Sequence, residues 1–246
     1  MNENFLNYWN RAKRYEEDGH NFFQATQFLN AAESHKYAAE LFEKALEFLD
    51  EEEAEVRIRT LGNHHIEMAN YYQSLATDHF YKGEKQKALR NYQKAIEEQK
   101  KVLTEYSKEK QHFTRDLKFL NVTLHFLLAY ENICSAQMAF LNENYQEAVE
   151  FFKTAEIHSN LESEFLSELG DLERLDRSKA RSFYVKGQIF RSEALKAMQN
   201  KDVGVAKEKY LAASHAFKNA SKLYPDWGEY RELAEKTKKM GLALKA

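Results

Sequence analysis

Four stretches of the chain share one pattern of small and aromatic residues: Tyr37–Leu46 (YAAELFEKAL), Lys87–Ile96 (KALRNYQKAI), Glu147–Glu156 (EAVEFFKTAE) and Val205–Ser214 (VAKEKYLAAS). In each stretch an alanine is followed four residues later by an aromatic residue, and three residues after that by a second alanine. At this spacing the three side chains lie on one face of a helix. The alanines let a neighbouring helix approach closely, and the aromatic ring fills the space between. The pattern therefore predicts repeated, closely packed helices.

The composition favours helix almost throughout. Among 246 residues there are 8 glycines and 1 proline, while 13% of the residues are aromatic. So few breakers exclude a sandwich or an α/β domain rich in tight turns, and so many aromatic residues exclude a disordered chain. The turns that these breakers mark, Asp18-Gly19 and Ser34-His35 among them, predict helices near 3–17, 20–33, 36–50, 53–81, 85–108, 111–141, 145–159, 161–169, 172–199, 203–223 and 227–243.

Charge and cysteine usage indicate a cytoplasmic protein. The 36 Lys and Arg against 39 Asp and Glu give a net charge of −3, which is not typical of a nucleic-acid binder. Cys134 is the single cysteine, which favours a reducing compartment. The start of the chain lacks the apolar core of a signal peptide, and the stretch from Leu124 to Tyr130 is too short to cross a bilayer.

The repeated stretches resemble the second helix of the tetratricopeptide repeat (TPR) family. Twelve residues before each first alanine, where that family has a small residue, the chain has Thr26, Ala76, Ala136 and Ala194. Sixteen before, at the family's aromatic position, it has Phe22, Tyr72, Asn132 and Phe190. The single proline, Pro225, takes the place of the family's terminating proline when the last frame is slid by one heptad, to Ala213, Phe217 and Ala220. The first alanines at 38, 88, 148 and 206 lie much further apart than the family's period of about 34 residues.

The resemblance implies an all-α fold, a right-handed array of antiparallel helical hairpins of the TPR-like α-solenoid kind. We expect a single domain over residues 1–246. In it, 3–17 forms an N-terminal cap, 19–225 about four hairpins, and 227–243 a C-terminal cap. The residues by which each repeat exceeds the family's period fit inside the long predicted helices 53–81, 111–141 and 172–199.

In that family the first helices of the hairpins line a concave groove that binds peptides. The residues that the resemblance places there, rich in amides and aromatic rings, are Gln27, Asn30, Asn70, Gln73, Thr77, Tyr81, Tyr130, Gln137, Gln188 and Arg191. Side-chain amides can bond the backbone of an extended peptide, and the trough could equally hold an amphipathic helix. The alternative is that the long helices close the trough and leave these residues in the core. The family's clamp for chaperone carboxylates is absent, since Phe23, Gln27, Ser74, Tyr130 and Cys134 stand at its positions.

Histidines provide a second hypothesis. His64 and His65 are adjacent, and His65 shares an apolar stripe with His79, while His125 and Glu131 lie on the next long helix. Such residues could form a polar layer that fixes helix register, or a site for a metal or small ligand. Neither a His-x3-His nor a Cys-x2-Cys pair supports a metal. A Glu17-x-x-His20 pair has di-iron spacing, but no second pair accompanies it.

The sequence therefore predicts a non-enzymatic scaffold or adaptor that binds a peptide or helix of a partner protein. It predicts no catalytic residue, cofactor, metal, nucleic-acid partner or membrane span, and it leaves a homo-oligomer open. The alternative is a helical-bundle sensor or enzyme that uses His64, His65, His125 and Glu131. A third hypothesis, RNA binding by the mildly basic segment 82–118, is weakened by the acidic residues interleaved in it.

Overall fold

Nine α-helices make up the part of the chain that the computed structural model describes, residues 2–50 and 52–244, and no strand occurs in these ranges. The helices are α1 Glu3–Gln24, α2 Phe28–Leu46, α3 Ala54–Tyr81, α4 Lys85–Ser107, α5 Thr114–Leu141, α6 Tyr145–Leu169, α7 Leu172–Gln199, α8 Val203–Leu223 and α9 Gly228–Ala243. The ends of the predicted single domain, residues 1, 245 and 246, lie outside the described residues, as does residue 51. The all-α prediction is confirmed.

The helices fall into two compact units, Met1–Leu127 and Leu128–Ala246, which meet within α5. In the first unit α1 packs on α2, α2 on α3 and α3 on α4. In the second unit α6 packs on α7, α7 on α8 and α8 on α9. Each unit is thus a series of antiparallel hairpins, as predicted. No helix of the described chain combines the length and the apolar composition needed to cross a membrane.

Five of the turns between helices have the same geometry. After α1, the N–H of Gln27 donates to the carbonyl of Phe22 (2.9 Å) and the N–H of Thr26 to that of Phe23 (3.0 Å), while Thr26 has a φ of 61°. This is a Schellman motif, which caps the last carbonyls of a helix with one left-handed residue. The other left-handed residues with the same pair of bonds are Gly83, Glu143, Gly170 and Lys201.

The turns set the frame of the repeat and correct the first one. The left-handed residues at 83, 143 and 201 each precede the first alanine of a repeat by five residues, at Ala88, Ala148 and Ala206. Five residues after Thr26 stands Ala31, so the predicted first alanine, Ala38, is one heptad too late. From Ala31 to Ala88 to Ala148 to Ala206 the spacing is 57, 60 and 58 residues. The described chain therefore consists of helical hairpins with a period near 58 residues.

In the corrected frame each first helix carries two small buried residues, 12 and 19 residues before the first alanine. They are Gly19 and Ala12 in α1, Ala76 and Ala69 in α3, Ala136 and Ala129 in α5, and Ala194 and Gly187 in α7. At Gly187 an added Cβ would lie 2.5 Å from the ring of Phe217, and at Gly19 it would lie 2.6 Å from that of His35. These residues let the two helices of a hairpin approach closely, as the alanines of the second helix do.

The predicted turn at Asp18-Gly19 is wrong, and so is the one at Ser34-His35. Gly19 lies inside α1 and is buried. It does not end the helix; the absence of a side chain there lets α2 pack closely against α1. The predicted cap 3–17 is consequently part of the first hairpin, whose second helix is α2. Helix 227–243 was predicted close to its observed bounds, Gly228–Ala243, and packs on α8.

The surplus length of the helices builds a core of its own. In the first unit Val102, Tyr106, Phe113 and Leu120 form a buried cluster beyond the repeated positions. The ring of Tyr106 lies over Gly62, where an added Cβ would come within 2.1 Å of it. The long helices therefore extend the hairpins as packed structure.

Candidate functional site

The predicted groove residues of the first unit form a strip on α3, which we call the α3 strip: Asn70, Gln73, Thr77 and Tyr81. The first three are half-buried, whereas Tyr81 is 53% exposed and stacks on Phe28 at a centroid distance of 5.5 Å. Asn70 donates from Nδ2 to Oε1 of Glu67 (3.3 Å), and the Thr77 hydroxyl donates to the carbonyl of Gln73 (2.8 Å). The carboxamide of Asn70 is thus already tied to the protein.

Gln27 and Asn30 do not lie on a first helix. Gln27 is in the turn before α2 and Asn30 is in the first turn of α2, and both are exposed. The Asn30 amide donates to Oε1 of Gln27 at 3.0 Å. They were misplaced because the first repeat was framed on Ala38. Counted from Ala31, the positions equivalent to the α3 strip and its neighbour Phe80 are held by Lys13, Glu16, His20, Phe23 and Gln24 of α1.

In the second unit the predicted residues come together between α5 and α7. We call this group the α5–α7 cluster: Tyr130, Gln137, Phe140, Gln188 and Arg191. The guanidinium carbon of Arg191 lies 4.7 Å from the ring centre of Phe140, and Nη1 of Arg191 donates to Oε1 of Gln188 at 3.5 Å. Arg191 thus joins Gln188 of its own helix to Phe140 of α5, while Gln137 contacts Tyr184 of α7 and Tyr130 lies against Arg181 of α7.

Gln137 occupies the middle of the cluster. Its Nε2 donates to the hydroxyl of Tyr184 at 3.5 Å, at the long end of hydrogen bonding. Its Oε1 is buried and has no hydrogen-bond partner within the described residues. A buried carbonyl oxygen without a partner costs about 1–3 kcal/mol. The cluster therefore contains an acceptor that an incoming N–H could satisfy.

A buried ion pair lies behind the cluster. Arg181 of α7 bonds to Glu162 of α6, and its guanidinium carbon lies 5.0 Å from the ring centre of Tyr130. Burial opposes the charge of Arg181, but the Glu162 carboxylate outweighs it and raises the pKa of the guanidinium further. Burial also raises the pKa of Tyr184 to about 12, so that its hydroxyl stays protonated. Arg181 therefore stays positively charged and Tyr184 stays neutral across physiological pH.

The predicted histidine cluster does not form a joint site. Nδ1 of His64 lies 3.0 Å from the carbonyl oxygen of Ala39 on α2, while Nδ1 of His65 lies 2.7 Å from Oε2 of Glu98 on α4. Adjacent residues of a helix point about 100° apart, so the two rings reach different helices. No group of converging metal-ligand atoms in residues 2–50 and 52–244 includes His64, His65, His125 or Glu131. His64 and His65 act as register-fixing polar contacts.

Two further sequence features have ordinary structural roles. Cys134 is buried, as expected of a packing thiol. In the basic segment 82–118, Lys82, Lys87, Lys101 and Lys108 each pair with an acidic residue three or four positions away, as on an ordinary exposed helix.

Sequence reasoning missed one convergence, at the first repeat. Glu16 and His20 of α1 approach Glu67 of α3, so that one ligand atom from each lies within 4.8 Å of the others. In the sequence, this convergence is indicated only by the corrected frame. That frame puts the carboxylate of Glu16 and the imidazole of His20 at the groove positions that Gln73 and Thr77 hold in the second repeat.

Comparison with known proteins adds two distant structures. No protein-family model matches the chain, and no curated protein matches it. A de novo designed helical repeat protein is 15% identical, with a TM-score of 0.30 over 98% of this chain and 95% of that one. The TPR2AB domain of yeast Sti1, in a complex with pHSP90, is 15% identical, with a TM-score of 0.21 over 94% of this chain and 98% of that one. The fold assignment rests on the helices and turns described above.

Proposed function

We propose that this protein is a non-enzymatic interaction scaffold that binds an extended segment of a partner protein at the α5–α7 cluster. The α3 strip provides a similar surface in the first unit. The observation that carries the proposal is Oε1 of Gln137, a buried acceptor without a partner in the described chain. Because this oxygen is covered in the unbound protein, the Gln137 side chain would turn toward the surface on binding, where a backbone N–H of the peptide supplies the missing hydrogen bond.

The chemistry around Gln137 suits such a segment. Phe140 offers an aromatic face, and exposed apolar side chains flank it, with Leu141 72% and Met198 38% exposed. Arg191 lies over Phe140 and bonds to a neutral amide, so its positive charge remains available to a carboxylate. We therefore infer a partner segment with apolar side chains and an acidic residue that pairs with Arg191.

A cytoplasmic location belongs to the same proposal and is supported by the single, buried Cys134. A homo-oligomer is compatible with it. The alternative of a sensor or enzyme based on His64, His65, His125 and Glu131 is not proposed, because the two adjacent rings are committed to separate helices.

Selection from a random peptide library tests the proposal. Peptides selected on the wild-type protein are measured by fluorescence anisotropy against the variants Gln137→Ala and Arg191→Ala. Gln146→Ala is the matched control, since Gln146 lies exposed on α6 and bonds to Glu150 and Lys196. We expect binding to weaken about tenfold in each cluster variant, corresponding to about 1.4 kcal/mol, and to stay unchanged in the control. Equal affinity in all four proteins would refute the site.

A further inference from the structure

Four titratable side chains from three helices meet in the first unit. Glu16 and His20 lie one helical turn apart on α1, His35 lies on α2 and Glu67 on α3. Nδ1 of His35 is 2.7 Å from Oε2 of Glu67, and the rings of His20 and His35 are 5.1 Å apart between centroids. Ligand atoms of Glu16, His20 and Glu67 all lie within 4.8 Å of one another.

Glu67 is a fixed acceptor at the inner end of this group. Its side chain is 2% exposed, and both of its oxygens are engaged, Oε2 by His35 and Oε1 by the Nδ2 of Asn70. A buried carboxylate is costly unless hydrogen-bonded, and these bonds also fix its orientation. An imidazole that bonds a metal-ligating carboxylate in this way is a common feature of metal sites.

Glu16 and His20 form the outer, solvent-facing side. Partial burial of the His20 ring lowers the pKa of its imidazole, an effect that Glu67 and Glu16 partly oppose. Glu16 is held by Lys13, whose Nζ lies 2.6 Å from its carboxylate.

The cluster departs from the repeat at the two positions that His35 and Glu67 occupy. Where the other repeats have Tyr92, Phe152 and Tyr210, the first has His35. Where the third and fourth repeats have the aliphatic residues Leu127 and Val185, the second has Glu67. An aromatic and an aliphatic residue are thus replaced by a buried ionisable pair, which helical packing alone does not require. Departures of this kind concentrate at functional sites.

We propose that Glu16, His20 and Glu67 bind a divalent transition-metal ion, with Zn²⁺ as the best match, and that His35 positions Glu67 for it. One imidazole nitrogen and two carboxylate oxygens are a ligand set that Zn²⁺ accepts at about 2.0–2.2 Å, with water in the remaining position. Glu16 and His20 reach the ion by side-chain rotation toward the fixed Glu67. The ion would link α1 to α3, and it would displace Lys13 from Glu16.

The test uses tag-free protein freed of metal with a chelator, titrated with Co²⁺ and followed by visible absorption, with Zn²⁺ as competitor. We expect one equivalent to bind and Zn²⁺ to displace it. His20→Ala and Glu16→Gln should each weaken binding about tenfold or more, and His35→Gln should do so through Glu67. Lys13→Ala should tighten binding, because it removes the cation that competes for Glu16. His112→Ala is the control, since His112 is exposed in the loop before α5.

Lys13 and His20 are exposed and Glu16 is only partly buried, so we expect their substitution to leave the fold intact, and circular dichroism verifies this. Glu67→Gln gives an additional reading if it folds, with loss of binding expected. The proposal is overturned if wild-type protein shows no saturable Co²⁺ or Zn²⁺ binding. It is equally overturned if His20→Ala and Glu16→Gln bind like His112→Ala.

Discussion

His35 and Glu67 form a buried hydrogen-bonded pair at positions where the third and fourth repeats place apolar residues opposite an aromatic ring. Nδ1 of His35 lies 2.7 Å from Oε2 of Glu67, and each side chain is 2% exposed. In the later repeats the same two positions hold Tyr92 and Leu127, then Phe152 and Val185. The pair therefore exchanges hydrophobic packing for a polar contact that depends on both members.

This mutual dependence predicts a strong double-mutant coupling. His35→Phe alone leaves the Glu67 carboxylate buried without its partner and is expected to lower the free energy of unfolding by about 3–5 kcal/mol. The double variant His35→Phe/Glu67→Leu restores the residue types of the later repeats, so it should regain most of that loss. Urea unfolding measures both. A single variant as stable as the wild type would contradict the account of the pair.

The close packing of Gly19 against His35 predicts that Gly19→Ala is destabilising. An added Cβ would lie 2.6 to 2.8 Å from three atoms of the His35 ring, which Glu67 holds in place. Overpacking of this kind costs about 1–3 kcal/mol. Gly228→Ala is the matched control, because a Cβ there meets nothing within 4 Å, and thermal unfolding should show it neutral or slightly stabilising. A Gly19→Ala protein as stable as the control would disprove the close approach.

Three histidines whose pKa is lowered in the folded protein predict a loss of stability on mild acidification. Burial lowers the pKa of His20, His65 and His158 in the folded protein, while in the unfolded chain each returns to about 6.5. Between those values the unfolded chain binds more protons. The free energy of unfolding therefore falls as the pH drops through about 6.5, and the fall ends below the folded pKa values.

His65→Gln should make that fall smaller, whereas His112→Gln, in the exposed loop before α5, should leave it unchanged. Urea unfolding at a series of pH values between about 7.5 and 5.5 measures the difference. Identical pH profiles for His65→Gln and the wild type would show that burial of His65 does not set its protonation.

The unpartnered oxygen of Gln137 predicts a separation of stability from binding. Gln137→Leu removes a buried acceptor that costs free energy in the unbound protein, so the free energy of unfolding should stay the same or rise by up to about 1 kcal/mol. Peptide affinity should nevertheless fall. A clear loss of stability in Gln137→Leu would show instead that the carboxamide serves the core.

The sequence was sufficient for the helical class and for three of the four repeat frames, and it placed eight of the ten predicted groove residues on first helices. The first frame failed because Ala31, Ala38 and Ala45 follow one another at heptad spacing, so that Phe42 offered an aromatic residue one heptad too late. Gly19 was interpreted as a breaker, although its role is to let α1 and α2 approach. Composition cannot distinguish a glycine that ends a helix from one that lets two helices approach. The backbone conformation can, because the residue in the turn before each second helix is left-handed, whereas Gly19 lies inside α1.

The candidate sites show a similar limit. His64 and His65 attracted attention because they are adjacent, but adjacent side chains on a helix point to different neighbours. His35 and Glu67 were overlooked because 32 residues separate them, and only the packing of α2 on α3 brings them together. The predicted groove residues lie on first helices where the frame was right, and Gln27 and Asn30 do not, because they belong to the misframed first repeat. That these residues bind a peptide stays a prediction.

Site-specific photo-crosslinking tests the proposed peptide site most directly. A photoreactive residue is placed at Leu141, beside the α5–α7 cluster, or at Ile157 on α6. Both side chains are exposed in the same unit, at 72% and 57%. With a peptide selected on the wild-type protein, we predict a crosslink at position 141 and none at position 157. A crosslink at position 157 alone, or equal crosslinking at both positions, would contradict binding at the α5–α7 cluster.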